Sequence, residues 1–303
     1  MKKGDFGGFH DEIRYISLYP PVPLLQRGEN AVPFTEALMP ELPDVAAYGK
    51  YFEKYALGHR IASARVRDAR IVRGLSAREL EERLTGETFT ATRQHGKYLF
   101  VQTDGGKWLI EHFGMTGYLW YSEDPGEAPK YDRFQLLLQN GGRLSYVNAR
   151  MLGWIGLTED PDDFIQSRGL GPSALDIEYG AFKNIFSGKK GEIKPALMNQ
   201  KLVAGVGNVY SDEILFHARI HPRMKIDALT EKQLKAVFES MQKVLRTAVE
   251  REGDIASLPE DYILRDRRKG AYCPLCGNSL QSVKVAGRSA YFCPRCQSEE
   301  DKR

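Results

Sequence analysis

The chain has 303 residues, 42% hydrophobic and 27% charged, with a formal net charge of +3. That is long enough for a sizeable core and two domains, and its composition is ordinary for a soluble globular protein. No apolar run reaches the roughly 18 residues a membrane helix needs. The amino end carries Asp5, Asp11 and Glu12 and no apolar centre, so no secretory signal is expected there and a cytoplasmic protein is the expectation.

Residues 1–38 differ in texture from the rest. Tyr19–Pro20–Pro21–Val22–Pro23 is proline-rich, and no helical or strand period persists. The segment reads as disordered, as an expression remnant, or as the result of a start assigned too far upstream, with a regulatory arm as the other alternative. From Met39 onward, residues 45–57 place apolar side chains at helical spacing, and Pro43 and Asp44 suit a helix start. Strand-like runs follow at 61–66, 88–93, 98–103, 108–113, 134–138 and 144–148, separated by turn signals such as Asp104–Gly105–Gly106 and Asn140–Gly141–Gly142. These predict a β-sandwich of two antiparallel sheets with the first helix alongside.

From about Asp176 the pattern turns helical, with helices predicted over 182–186, 193–200, 211–218 and 231–251. Gly205, Gly207 and Asn208 are expected in a turn between the second and third of these. From about Arg267 short strands are flanked by cysteines. The fold class is therefore α+β. A β-sandwich domain is expected over 39–170, a helical domain over 171–266 and a cysteine-pinned ribbon over 267–303.

All four cysteines lie near the carboxyl end, as Cys273-x2-Cys276 and Cys293-x2-Cys296. Each pair brackets a tight turn that points two thiols at one place. Four such ligands suit one tetrahedral zinc ion, at about 2.3 Å per bond. Such an ion is structural, because four thiolates leave no open position for water. Unligated thiols or two disulfides are the alternative. Between the pairs, 283–285 and 290–292 read as strands, with 286–289 as the hairpin tip. Arg288 on that tip suits a phosphate clamp, although taken alone it is a solvated surface charge. The region from Tyr262 to Arg303 carries nine Lys/Arg against four Asp/Glu, whereas residues 1–38 carry four against five. A phosphate-facing patch is therefore expected at the carboxyl end.

The second informative block is Gln200–Lys201–Leu202–Val203–Ala204–Gly205–Val206–Gly207–Asn208–Val209–Tyr210–Ser211–Asp212–Glu213. Physically it is a helix end, a glycine turn and a new helix, whose free N–H groups and dipole favour an anion. Lys201 and Asn208 add side-chain donors. Glycine turns between helices are common and mostly structural, so this block alone gives only an anion site.

The block resembles the helix–two-turn–helix signature of the formamidopyrimidine-DNA glycosylase/endonuclease VIII family. Met39–Pro40–Glu41–Leu42–Pro43 is similar to that family's amino terminus, Gly96–Lys97–Tyr98–Leu99 to its sandwich-lysine block, and His112–Phe113–Gly114–Met115–Thr116–Gly117 to the next block. The ribbon follows in the family's order, so the resemblance runs from Met39 to about Gln297.

The resemblance implies a bifunctional DNA glycosylase/AP lyase of base excision repair. Its nucleophile is an amino-terminal secondary amine, here Pro40. Such an amine has a pKa near 8 against about 10.4 for lysine, so more of it is neutral at pH 7. Glu41 is implied as acid/base and Lys97 as an active-site and phosphate contact. Lys201, Asn208 and Arg288 are implied as phosphate binders, and Met115, Arg150 and Leu152 as side chains that fill the stack when a nucleotide is extruded. Without the resemblance, Pro40 is a helix-start proline, Glu41 a surface charge, and Met115 and Leu152 core residues. The implied ligands are one structural Zn2+ and damaged double-stranded DNA, with no nucleotide cofactor and no membrane. The implied protein is a monomer in the cytoplasm, associated with the nucleoid.

Departures bear on substrate. Asn148–Ala149–Arg150–Met151–Leu152–Gly153 stands where the family more often has Asp-Pro-Arg-Arg-Phe-Gly, so the aromatic wedge is missing. The stretch from Arg251 to Tyr272 is shorter than the base-capping loop of 8-oxoguanine enzymes, and Asn199 stands where aspartate is common. Oxidised purines are the first expectation, with oxidised pyrimidines or abasic sites as alternatives. While Met39 precedes it, Pro40 nitrogen is an amide and no nucleophile. The 303-residue form is expected to be inactive, and a product beginning at Pro40 active. A non-catalytic DNA-binding protein or an RNA-associated zinc ribbon is the reading from another class.

Overall fold

The structure is a computed structural model that describes residues 39–298, so the reading of residues 1–38 falls outside the described residues. Helix α1 spans Leu42–Ala56. Its start follows from Pro43, whose fixed φ suits a first turn, and from Asp44, whose Oδ2 accepts the Glu41 N–H at 2.8 Å. One stripe of α1, Val45, Tyr48, Phe52 and Ala56, is buried.

Eight strands follow: β1 (Ile61–Val66), β2 (Phe89–His95), β3 (Tyr98–Thr103), β4 (Trp108–His112), β5 (Gly117–Ser122), β6 (Asp132–Leu138), β7 (Arg143–Asn148) and β8 (Trp154–Thr158). They form two antiparallel sheets, ordered β1-β6-β7-β5 and β2-β3-β4-β8. Inner side chains from both sheets share one core, including Leu99, Leu109 and Ile155 from one and Ile61, Phe134 and Tyr146 from the other. Helix α2 (Ala77–Leu84) adds Leu80 and Leu84 to it.

Strands β5 and β8 and helices α2 and α3 (Pro161–Ser167) were not foreseen from the sequence. For β8 the reason is burial on both faces. Ile155 enters the sandwich core, while Trp154 joins Phe100, Ile110 and the α3 side chains Phe164 and Ile165 on the outer side. No polar alternation is left to mark a strand.

The helical part comprises α4 (Tyr179–Phe186), α5 (Ile193–Leu197), α6 (Asn208–His217) and α7 (Glu231–Glu250). Helix α5 stops short of the predicted residue 200, and α6 begins three positions before the predicted 211. Asn208 is thus the first residue of a helix and not part of the preceding turn. Helix α6 buries every residue from Val209 to Phe216, so it shows no amphipathic period from which its start could be read. Leu42 belongs to the helical core and Val45 to the sandwich core, so the first turn of α1 joins the two.

The ribbon is a hairpin of β9 (Gln281–Val285) and β10 (Arg288–Phe292). Its turn is only two residues, Ala286 at φ 47 and Gly287 at φ 78. Both are left-handed, as a tight hairpin with twisted strands requires. Arg288 therefore lies in β10, paired with Val285, and not in a four-residue tip. No helix among the described residues is long and apolar enough to cross a membrane.

Candidate active site and nucleic-acid interface

Three segments distant in sequence meet where the sandwich touches the helical part. The first is the start of α1. Pro40 is buried, and Glu41 is 1% exposed. The Leu42 N–H donates to the Gly205 carbonyl at 3.1 Å, which fixes this segment to the glycine turn. The second is the β2–β3 turn. A methyl group on Gly96 would lie 2.7 Å from Ala204 Cβ and 2.9 Å from Gly205 N, so only glycine permits this docking. Gln94 Nε2 ties the turn down by donating to the carbonyls of Leu42 and Gly96. The third is the glycine turn leading into α6, held by Gln200, whose side chain accepts from Gly205 N and donates to the Val206 carbonyl.

The centre of this junction is crowded and charged. The Glu41 carboxylate accepts N–H bonds from Gly207 at 2.6 Å, Val209 at 2.8 Å and Tyr210 at 3.3 Å. The amino end of α6, expected from sequence to offer its free N–H groups to a phosphate, is therefore largely filled by the protein's own carboxylate. A methyl group on Gly207 would lie 2.3 Å from the Glu41 carboxyl carbon and 2.6 Å from Lys97 Nζ, so both side chains converge on this one glycine.

Burial holds the Lys97 ammonium below the usual lysine range. The carboxylates of Glu41 and Asp44 oppose that shift, and the Arg288 guanidinium adds to it. Arg288 thus reaches the same electrostatic neighbourhood from the ribbon. Asp44, read from sequence only as a helix-start residue, is pushed up to about 7, chiefly by burial, with the Glu41 charge contributing. Its place three residues after Glu41 was the available signal.

The remaining sequence-derived candidates lie around this centre. Lys201 is exposed on the turn, with its backbone N–H donated to Asn199 Oδ1 at 3.0 Å. Asn199 supplies the same acceptor oxygen that an aspartate would. Asn208 Oδ1 is buried with no partner among the described residues; an amide oxygen only accepts, so a phosphate contact by this side chain falls to its Nδ2.

Met115, Arg150 and Leu152 sit on two loops that touch each other. The Arg150 N–H donates to Thr116 Oγ1 at 3.1 Å, and a methyl group on Gly114 would lie 2.4 Å from the Leu152 carbonyl carbon. Met115 is half-buried, Arg150 is exposed, and Leu152 is 49% exposed, an unusual position for a leucine. The sequence reading missed Gln94, Asp212 and Arg267, which acquire roles only through partners far along the chain.

The four cysteine sulfurs lie within 4.8 Å of one another, with Cys273–Cys296 at 3.8 Å and Cys276–Cys293 at 3.5 Å. Disulfides need about 2.05 Å, so the thiols are free. A tetrahedron with bonds of about 2.3 Å has edges of about 3.8 Å, so this donor set fits one zinc-sized ion. Gln297 anchors the second cysteine pair to the helical part, accepting from Cys293 N and donating to the Ile220 carbonyl.

Family models match almost the whole described chain in sequence order. Residues 39–155 match the formamidopyrimidine-DNA glycosylase N-terminal domain, 169–260 its H2TH domain, and 272–298 a zinc finger found in FPG and IleRS. Among similar curated proteins, the formamidopyrimidine-DNA glycosylases of Photorhabdus laumondii and Gluconobacter oxydans are each 32% identical, the match covering 86% of this chain and all of theirs. Among solved structures, Lactococcus lactis Fpg with DNA containing Fapy-dG has a TM-score of 0.79 at 28% identity, covering 86% of this chain and all of that one. A MutM complex with DNA containing carbocyclic 8-oxo-G has a TM-score of 0.77 at 28% identity and the same coverage. With the α+β architecture, the helix–two-turn–helix and the four-cysteine ribbon in place, the chain belongs to the formamidopyrimidine-DNA glycosylase family of DNA repair enzymes.

Proposed function

We propose that this chain, once Pro40 is its first residue, removes oxidised bases of the formamidopyrimidine or 8-oxoguanine type from duplex DNA and then cleaves the strand. The observation that carries this reading is the convergence of Pro40–Glu41, Lys97 and the Gly207–Asn208 turn on one small volume.

A neutral proline amine attacks C1′ of the damaged nucleotide, forming a C–N bond as the C1′–base bond breaks. Both Glu41 oxygens accept N–H bonds, the arrangement of a carboxylate. Glu41 would take the proton that Pro40 loses and return it to the sugar ring oxygen as the C1′–O4′ bond opens. The resulting iminium withdraws electrons from the sugar. Loss of the C2′ proton expels the 3′ phosphate, and a second elimination expels the 5′ phosphate. Lys97, Lys201, Asn208 and Arg288 hold the phosphates, while Met115, Arg150 and Leu152 occupy the gap left by the extruded nucleotide. Cys273, Cys276, Cys293 and Cys296 would hold one zinc ion, which when bound supplies only cross-linking of the ribbon. The protein acts as a cytoplasmic, nucleoid-associated monomer and needs no nucleotide cofactor.

Two observations favour narrower alternatives. The segment between α7 and the ribbon packs Leu258, Tyr262 and Leu264 into the helical core, which favours a base pocket without a long cover and hence oxidised pyrimidines or abasic sites. In the 303-residue chain Pro40 nitrogen is acylated by Met39, which favours a DNA-binding form without catalysis. Cleavage assays on duplexes with single lesions separate these readings. The form beginning at Pro40 is expected to cut and the 303-residue form is not. Equal cutting by both overturns the role of Pro40. Binding without cutting of any lesion by either form leaves a DNA-binding protein.

A further inference from the structure

A buried charge cluster lies directly beneath the glycine turn, and the chemistry above does not use it. Asp212, on α6, and Lys194, on α5, are both fully buried, and Arg267 is nearly so. Lys194 Nζ donates to Asp212 Oδ1 at 2.6 Å and to the Asn208 carbonyl at 2.9 Å. Asp212 Oδ2 accepts from Arg267 Nε at 2.9 Å, from Arg267 Nη2 at 2.6 Å and from the Tyr291 N–H of β10 at 3.1 Å. The guanidinium lies 4.6 Å from the centre of the Tyr291 ring. Its Nη2 also reaches the carbonyls of Asn208 at 3.4 Å and Ser289 at 3.5 Å. One nitrogen therefore bridges the first residue of α6 and the residue directly after Arg288.

We propose that Arg267 is a positioning residue that locks β10 onto the start of α6, so that Arg288 and Asn208 grip the same stretch of DNA backbone. The proposal rests on the reading of Arg288 as a phosphate contact. Arg267 Nε and Nη2 are already engaged by Asp212 and by the carbonyls of Asn208 and Ser289. Its planar fork matters because a single ammonium cannot hold Asp212 twice while spanning two carbonyls. Removing Asp212 instead would leave two buried cations unpaired and endanger the fold. Replacing Arg267 leaves the Lys194–Asp212 pair intact.

The test is a double-mutant cycle on the zinc-loaded 303-residue chain. It measures affinity for a duplex containing a tetrahydrofuran abasic analogue, with zinc content and thermal midpoint measured in parallel. Arg288→Ala is expected to weaken binding about tenfold. Arg267→Lys, which preserves the charge partner of Asp212, and Arg267→Ala are expected to weaken it by several-fold up to the same extent. Each should add less than about twofold once Arg288 is already alanine. A purely structural Arg267 would instead give losses that multiply, and that result overturns the proposal, as does unchanged binding by both Arg267 variants. If Arg288→Ala binds normally, or the unmodified chain does not bind the duplex, the phosphate reading of Arg288 falls first and takes this inference with it.

Discussion

Glu41 serves two structures at once. Its carboxylate closes the amino end of α6, and its backbone follows Pro40, so the geometry of the candidate nucleophile and that of the start of α6 are set by one residue. Gly207 is the space that allows it. Its backbone is extended and unstrained, at φ −127, so Gly207→Ala meets only the steric conflict with Glu41 and Lys97. Cleavage by the form beginning at Pro40 should fall about a hundredfold for a displacement on the order of 1 Å, and single-turnover kinetics would read it. Near-normal rates would show that Glu41 and Lys97 need not be held where they are.

Glu111, inside the sandwich, tests the electrostatics independently of the site. It is 1% exposed, its Oε2 has no partner among the described residues, and burial pushes it up to about 8 from an ordinary value of 4.5. The folded protein therefore keeps a proton that the unfolded chain releases. This favourable contribution is complete below about 4.5 and is lost as pH rises towards 8. Glu111→Gln removes the titration. Its stability relative to the unmodified protein should climb between pH 4 and 8 by at most about 4 kcal/mol, read by urea denaturation. A pH-independent difference would contradict the buried, protonated state.

At the scale of elements, legibility followed locality. The two Cys-x2-Cys turns and the presence of a hairpin between them were readable because their constraints lie within a few residues, although its two-residue turn was read as a four-residue tip. Six of the sandwich strands were readable from short apolar runs between turn signals. The start of α6 was not, because it depends on a carboxylate that arrives from residue 41 and because its residues are buried on all sides. Strand β5 was hidden for a related reason. It begins at Gly117, whose N–H donates back to the Phe113 carbonyl, so strand and preceding loop form one unit in which no boundary is marked. Among candidate site residues, the sequence nominated those in recognisable blocks. It did not find Gln94, Asp212 or Arg267, whose partners lie far away along the chain.

At the scale of the whole molecule, two hydrophobic cores meet along the first turn of α1 and the β2–β3 turn, and the candidate site is that seam. Such placement gives a nucleophile at the start of the polypeptide a rigid seat, and it lets the ribbon bring Arg288 to the same region. In the proposed chemistry the amino terminus itself takes part. The most direct measurement is borohydride reduction of the form beginning at Pro40 on a duplex with an abasic site, followed by protease digestion and mass spectrometry of the trapped peptide. The expected result is a sugar adduct on the Pro40 nitrogen, with no trapping by the 303-residue chain. An adduct on Lys97, or an equal yield from the chain in which Met39 still precedes Pro40, would contradict the account.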